Sequence, residues 1–145
     1  MDDLEVRLIE LRNCAVDTVA YNCTVGSMAC PADLLIGKLE EASGVPAGST
    51  AGSILAALKT LGILRIALAT PYSQATNEHE KTFLSSHGIK VVAMVGMDFK
   101  ETGTALGRRF GAVSPKAIYD HAISVDCPEA QAILISCANF GSAQV

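Results

Sequence analysis

Apolar residues cluster in four short runs along the chain, and each run is typical of a strand that is buried on both faces. Amphipathic stretches, with apolar residues three and four positions apart, lie before and between these runs and predict helices. The predicted strands are residues 16–21, 65–70, 90–95 and 132–136. The predicted helices are residues 3–12, 32–42, 53–61, 73–87 and 114–125. This alternation predicts an α/β fold with a mostly parallel sheet and flanking helices.

Small residues and proline mark the ends of the predicted helices. Gly62 and Gly88 lie where two helices should stop, and Ser114 followed by Pro115 predicts the start of another. Residues 43–53 are interpreted as a plain loop, because no Gly-Lys-Ser or Gly-Lys-Thr follows to complete a phosphate-binding loop. The residues expected to point inward from the first three predicted helices are Leu4, Leu8, Leu11, Leu35, Ile36, Leu39, Ile54, Leu58 and Leu61.

Composition and charge limit the classes of function. The 145 residues include 11 Lys or Arg and 15 Asp or Glu, and 50% of them are hydrophobic. That is enough apolar material for a folded core and too little charge for a disordered chain. The net charge of −4 provides no basic stripe, so nucleic acid is not an expected partner. An acidic start and the lack of a long apolar run predict a cytoplasmic protein without membrane contact.

The five cysteines are odd in number and include no Cys-x-x-Cys pair, so neither a disulfide framework nor a zinc site is predicted. Free cysteine is usually a small buried hydrophobe. The cysteines interpreted as packing residues are Cys14, Cys30 and Cys127. The histidines are expected to face solvent; they are His79, His87 and His121.

Reactive side chains follow three of the predicted strands. Cys23 lies after the first strand, Tyr72 after the second and Cys137 after the fourth. Parallel α/β sheets bind ligands beyond the carboxyl ends of their strands, and a helix starting after a cysteine favours its thiolate. We therefore predict nucleophilic or proton-transfer roles for the two cysteines and a substrate contact for Tyr72. Packing is the alternative for each of them, and a reversible disulfide between the two cysteines is a further one.

Three segments carry a resemblance to a known family: residues 16–24 (VDTVAYNCT), 65–72 (RIALATPY) and 133–139 (ILISCAN). Together they resemble the aspartate/glutamate racemase superfamily, in its branch of maleate cis-trans isomerases and arylmalonate decarboxylases. Members of that superfamily have two similar α/β lobes with the active site in the cleft between them. The resemblance implies that residues 1–65 hold the end of the first lobe with its crossover helices and residues 66–145 most of the second. It also implies a partial chain, without the opening and closing strands.

The resemblance also implies roles for individual residues. Cys23 and Cys137 correspond to the two catalytic cysteines of the family. In the maleate isomerases the first is thought to add to the double bond while the second donates a proton. In the racemases the two act as bases on opposite faces of a carbon. The residues that would bind the substrate carboxylates are Thr24, Val25, Tyr72, Ala138 and Asn139.

These implications lead to one expected function and several alternatives. We expect a cofactor-independent isomerase, without metal, that acts on a small dicarboxylate in the manner of maleate isomerase. A thiol at Cys23 argues against decarboxylation, because the decarboxylases of the branch carry glycine there. The alternatives are an amino-acid racemase of the aspartate/glutamate or hydantoin type, a non-catalytic domain that binds a small acid, and an inactive fragment. Exposed edges of an incomplete sheet would favour a homo-oligomer.

Overall fold

The computed structural model of the protein describes residues 3–145. The α-helices in this range are α1 (Asp3–Asn13), α2 (Thr24–Ser27), α3 (Ala32–Ser43), α4 (Thr50–Thr60), α5 (Gln74–Ser86), α6 (Gly103–Gly111) and α7 (Pro115–Ile123). The strands are β1 (Val19–Tyr21), β2 (Ala47–Ser49), β3 (Arg65–Thr70), β4 (Lys90–Gly96) and β5 (Ala132–Ile135). A short 3₁₀ helix follows at Ser142–Gln144. The chain divides into two compact units, one ending at Ala56 and one running from Ala57 to Val145.

The first unit contains a two-stranded parallel sheet. β1 pairs with β2 in a register that places Val19 opposite Ala47 and Tyr21 opposite Ser49. The prediction of a plain loop at residues 43–53 was therefore wrong. The sequence of β2, Ala-Gly-Ser, has none of the β-branched or aromatic residues that are common in strands. This strand forms because β1 provides its hydrogen-bonding partner.

Four apolar side chains form the core of the first unit: Leu8 of α1, Val19 of β1, and Leu35 and Leu39 of α3. Ile36 and Cys30 pack at its edge, as expected. Leu11 is exposed, contrary to prediction, and Leu4 lies outside the described side chains.

The second unit contains a three-stranded parallel sheet in the order β4-β3-β5. β3 is the central strand, and the side chains from Ile66 to Ala69 are fully buried. Its two neighbours are half-buried along most of their length, so the prediction of burial on both faces is correct for β3 only. Small residues of β3, Ala67 and Ala69, pack against Ala122 of α7 and Val125, which follows the helix. The mostly parallel α/β class is confirmed.

Most predicted helix ends agree with the structure. Ser114 caps α7, accepting a hydrogen bond from the Ala117 N–H at 3.2 Å, and Pro115 is its first residue. Gly62 and Gly88 have φ values of +66° and +80°, which glycine adopts without strain. Leu61 is 70% exposed, contrary to prediction, because α4 ends one residue earlier.

Candidate functional site

The turn after β3 is held by hydrogen bonds from several elements. The Thr70 hydroxyl accepts from the Tyr72 N–H at 3.0 Å and donates to Asn77 Oδ1 of α5 at 2.6 Å. The Thr70 carbonyl accepts from the Met97 N–H at 3.0 Å and from His121 Nε2 of α7 at 2.9 Å. His121 is thus half-buried and bonded rather than solvent-facing, which corrects the prediction for it. These bonds fix the position of Tyr72.

Glycine at the end of β4 allows this turn to pack closely. A Cβ atom at Gly96 would clash with the carbonyl oxygen of Tyr72 and with the side-chain nitrogen of Asn77. The same carbonyl accepts a hydrogen bond from the Asp98 N–H at 3.3 Å. The position of Tyr72 therefore depends on the absence of a side chain on the neighbouring strand.

The Tyr72 side chain is almost completely buried. Its ring meets the Phe110 ring of α6 edge-on, with centroids 5.8 Å apart and planes at 72°. Burial raises the pKa of the phenol well above its ordinary value, and the nearby Cys137 thiol raises it further. The hydroxyl therefore keeps its proton at neutral pH. A neutral phenol beside a thiol can donate a hydrogen bond to a ligand oxygen.

Cys137 lies in the turn after β5 with an unusual backbone conformation. Its φ is +105°, a value that side-chain-bearing residues rarely adopt and that is enriched at functional sites. Its carbonyl accepts from the Phe140 N–H at 3.0 Å. The expectation of a helix starting after this cysteine was wrong, because within the described residues a turn and the 3₁₀ helix follow it. Its thiol is half-buried and lies beside Tyr72.

The two residues after Cys137 are exposed. Asn139 donates from Nδ2 to the Gly107 carbonyl of α6 at 2.6 Å, so its amide ties this turn to the helix. Ala138 leaves only its backbone and methyl group near the thiol. One of the two Nδ2 hydrogens of Asn139 is engaged in this bond, so the second is the side-chain donor left for a ligand.

Glu80 of α5 is the residue of this region that sequence reasoning missed. It is fully buried, and neither carboxyl oxygen has a hydrogen-bond partner in the described structure. Burial raises its pKa from 4.5 to about 7, although the Ser136 hydroxyl nearby acts in the opposite direction without reaching hydrogen-bond geometry. A signal was present: Asn77, Glu80 and Leu84 are spaced by three and four residues, which places two polar side chains on the buried face of a helix.

The first unit holds the other predicted residues. Cys23 is exposed and precedes α2 as its N-cap residue, without a capping bond from its thiol. Thr24 is buried and Val25 is half-buried. The Ser27 hydroxyl donates to the Thr24 carbonyl at 2.8 Å and accepts from the Ala51 N–H at 3.0 Å. α2 is therefore attached to the start of α4.

Tyr21 brings a second phenol to a cysteine, and the sequence analysis did not select it. A Cβ atom at Gly26 would lie 2.7 Å from Tyr21 Oη and 3.0 Å from Cys23 Sγ. The phenol oxygen and the thiol sulfur therefore both lie next to Gly26, where a side chain would have no room. Each predicted catalytic cysteine has a tyrosine as neighbour.

Cys14 is exposed, so the prediction that it is a packing residue was wrong.

In the part of the chain that the structure describes, no group of three or more His, Cys, Asp or Glu side chains is arranged to hold a metal ion. None of the helices between residues 3 and 145 is both long enough and apolar enough to cross a membrane.

Comparison with protein families gives one match, to the family described as arylmalonate decarboxylase, over residues 26–145. The chain belongs to this family. The matched region includes Tyr72, Glu80 and Cys137 and begins just after Cys23 and Thr24. The predicted resemblance is thereby confirmed.

This chain is similar to curated maleate isomerases. It is 24% identical over 136 residues to the maleate isomerase of Geobacillus stearothermophilus and 21% identical over 136 residues to that of Alcaligenes faecalis. Each match covers 88% of this chain and 52% of the relative. The chain therefore spans about half the length of the curated relatives it matches.

Solved structures show the same fold. A maleate isomerase variant from Pseudomonas putida with maleate has a TM-score of 0.88 at 20% identity, covering 98% of this chain and 58% of that one. A Nocardia farcinica maleate cis-trans isomerase variant with a covalently bound succinylcysteine intermediate has a TM-score of 0.85 at 21% identity, covering 95% and 58%. A liganded arylmalonate decarboxylase variant has a TM-score of 0.84 at 23% identity, covering 94% and 58%. The predicted α/β fold is confirmed and is shared with these maleate isomerases and this arylmalonate decarboxylase.

Proposed function

We propose that this chain is part of a cofactor-independent isomerase that interconverts the cis and trans forms of a small dicarboxylate of the maleate type. The observation that carries the proposal is the neutral Tyr72 phenol beside the Cys137 thiol, in a member of a family whose curated relatives include maleate isomerases. The two compact units would correspond to parts of the two lobes of such an enzyme.

In the proposed reaction Cys23 acts as the nucleophile and Cys137 as the acid. The Cys23 thiolate adds to one alkene carbon, and the Cys137 thiol gives its proton to the other. The double bond becomes a single bond, which rotates. Cys137 then takes the proton back, the carbon–sulfur bond breaks, and the double bond re-forms in the other geometry. No electron or proton is gained or lost overall. The succinylcysteine adduct in the Nocardia farcinica enzyme supports such a covalent step.

Negative charge accumulates on a substrate carboxylate when the thiolate adds, so donors aimed at that carboxylate accelerate the reaction. We assign this role to the Tyr72 hydroxyl, with Thr24, Val25, Ala138 and Asn139 as further carboxylate contacts through backbone N–H groups and polar side chains. The packed ring of Tyr72 keeps its hydroxyl oxygen in one position, which lowers the entropy that the site loses on binding.

Proton NMR in D₂O tests this proposal directly. The reduced protein is incubated with maleate, and in parallel with L-aspartate and L-glutamate, beside a Cys23→Ala control. We expect loss of maleate and gain of fumarate with the wild-type chain only. Deuterium entering the Cα position of an amino acid would instead establish a racemase. No change in any of the three acids would contradict catalysis on them and favour a binding domain or an inactive fragment.

A further inference from the structure

Glu80 is an acid buried without a counter-ion. Its side chain is fully inaccessible, both carboxyl oxygens lack hydrogen bonds, and none of the ion pairs found between residues 6 and 145 includes it. Burying an unpaired carboxylate is unfavourable, so the folded interior favours the neutral acid and delays the ionisation of Glu80 to higher pH. The Ser136 hydroxyl is equally buried and also lacks a partner. Two unsatisfied polar groups therefore lie near each other in the interior of the second unit.

This pair connects to the predicted catalytic cysteine. Ser136 directly precedes Cys137 and lies close to the Tyr72 phenol, and the charge of Glu80 acts on that phenol as well. The Tyr72 phenol in turn interacts with the Cys137 thiol. Polar side chains thus run from Glu80 through Ser136 and Tyr72 to Cys137, all within one unit.

The charged groups on the surrounding elements do not compensate Glu80. On α5 itself, Lys81 pairs with Glu78 at 3.4 Å, away from the interior. β4 packs against α5, and its charged residue, Lys90, is exposed at the start of the strand. On α7, His121 is engaged with the Thr70 carbonyl. Ionisation of Glu80 would therefore place an uncompensated negative charge in the interior near Tyr72 and Ser136, the residue before the cysteine.

We infer that Glu80 is a positioning residue that controls the thiolate of Cys137. As a neutral acid it adds no charge near Ser136, Tyr72 and the cysteine. As an anion it opposes the formation of a second negative charge on the Cys137 sulfur. The effect of Glu80 on catalysis rests on the proposed function. The effect of its charge on the Cys137 thiolate does not.

The sign of the effect follows from the order in which the groups ionise. Glu80 is neutral well below pH 7 and ionised above it, since its pKa is about 7. A nearby anion disfavours a thiolate, so the reactivity of Cys137 should rise less steeply with pH once Glu80 has lost its proton. In Glu80→Gln the side chain keeps the shape of glutamate and a hydrogen-bond donor but never ionises. This variant should therefore lack the negative charge that disfavours the Cys137 thiolate.

Alkylation of the full chain by iodoacetamide tests the inference without requiring turnover. The rate at Cys137 is measured by mass spectrometry of its peptide, from about pH 5.5 to about pH 9, a range that spans thiol ionisation. We expect Glu80→Gln to match the wild type below about pH 6 and to react about threefold faster or more near pH 8.5. Glu78→Gln, which changes an exposed glutamate on the same helix, should follow the wild type. Superimposable profiles for Glu80→Gln and the wild type would overturn the inference.

A second measurement needs no variant. Carbon-13 NMR of labelled glutamate carboxyls in the wild-type chain should show Glu80 titrating near pH 7. Titration at the ordinary value of about 4.3 would contradict the inference. Maleate turnover is followed in the same samples. The isomerase function and the role of Glu80 are therefore tested independently. Altered alkylation without turnover refutes the proposed function only, and turnover with unaltered alkylation refutes only the role of Glu80.

Discussion

At the scale of single residues, the two cysteines follow similar stretches of sequence but lie in different surroundings. Cys23 is exposed and has the Tyr21 phenol nearby over Gly26. Cys137 is half-buried, has a φ of +105°, and lies beside the buried phenol of Tyr72. An exposed thiol suits a nucleophile that must reach a substrate, and a sheltered thiol beside a neutral phenol suits proton donation.

The Tyr72 hydroxyl is the hydrogen-bond donor that the proposed reaction requires in the second unit. Tyr72→Phe keeps the ring and its edge-on contact with Phe110 but removes the donor. We expect kcat for maleate to fall by about 100-fold, as when one preorganised donor is lost, with little change in the urea midpoint. Tyr119→Phe, at an exposed position on α7, serves as the matched control. Full activity in Tyr72→Phe would remove this hydroxyl from the mechanism.

At the scale of elements, the site of the second unit depends on close packing between the turn after β3 and the end of β4. Hydrogen bonds from α5, α7 and the segment after β4 converge on the residues around Thr70. The backbone at Gly96 leaves no room for a side chain. The position of Tyr72 is therefore a property of four elements together rather than of its own turn.

Gly96→Ala tests this packing. The added methyl group would meet the Tyr72 carbonyl oxygen, which is backbone and cannot move freely, so we expect a loss of about 1–3 kcal/mol in the free energy of unfolding. Gly107→Ala is the control, because a Cβ there meets nothing within 4 Å and alanine favours a helix. Urea unfolding measures both variants. Equal stability of Gly96→Ala and the wild type would show that the turn can shift without cost.

At the scale of the whole molecule, each unit has its own parallel sheet and its own apolar core. The second unit also contains a buried carboxyl that lacks both a counter-ion and a hydrogen bond. Such a group makes the stability of the protein depend on pH, because its proton affinity differs between the folded and the unfolded chain.

Glu80→Gln should remove part of this pH dependence. The pKa of Glu80 rises from 4.5 to about 7 on folding, so between these values the folded chain binds more protons than the unfolded one. The free energy of unfolding contributed by this group therefore falls as the pH rises through that range, by up to about 3 kcal/mol. Urea unfolding at a series of pH values should show this fall in the wild type and in Glu78→Gln but not in Glu80→Gln. Parallel curves for all three chains would refute it.

The continuous apolar run of β3 and the serine and glycine signals at helix ends were readable because they are local. β3 has the predicted bounds, and Ser114 caps α7 as expected. α6 was missed because Gly103, Gly107 and Gly111 lower its helix propensity. The catalytic and binding roles of Cys23 and Cys137 stay predictions, since they rest on chemistry that has to be measured.

The sequence by itself determined the α/β class, most helix boundaries and the family, because apolar periodicity, capping residues and short motifs are properties of neighbouring positions. Tertiary structure decided what depends on residues far apart in the chain. β2 forms only against β1, His121 finds its acceptor 51 positions away at Thr70, and Glu80 becomes an unpaired interior acid only when the sheet and turns enclose it. Burial and long-range pairing are set by packing, and packing changes both the hydrogen bonds and the charge of these side chains.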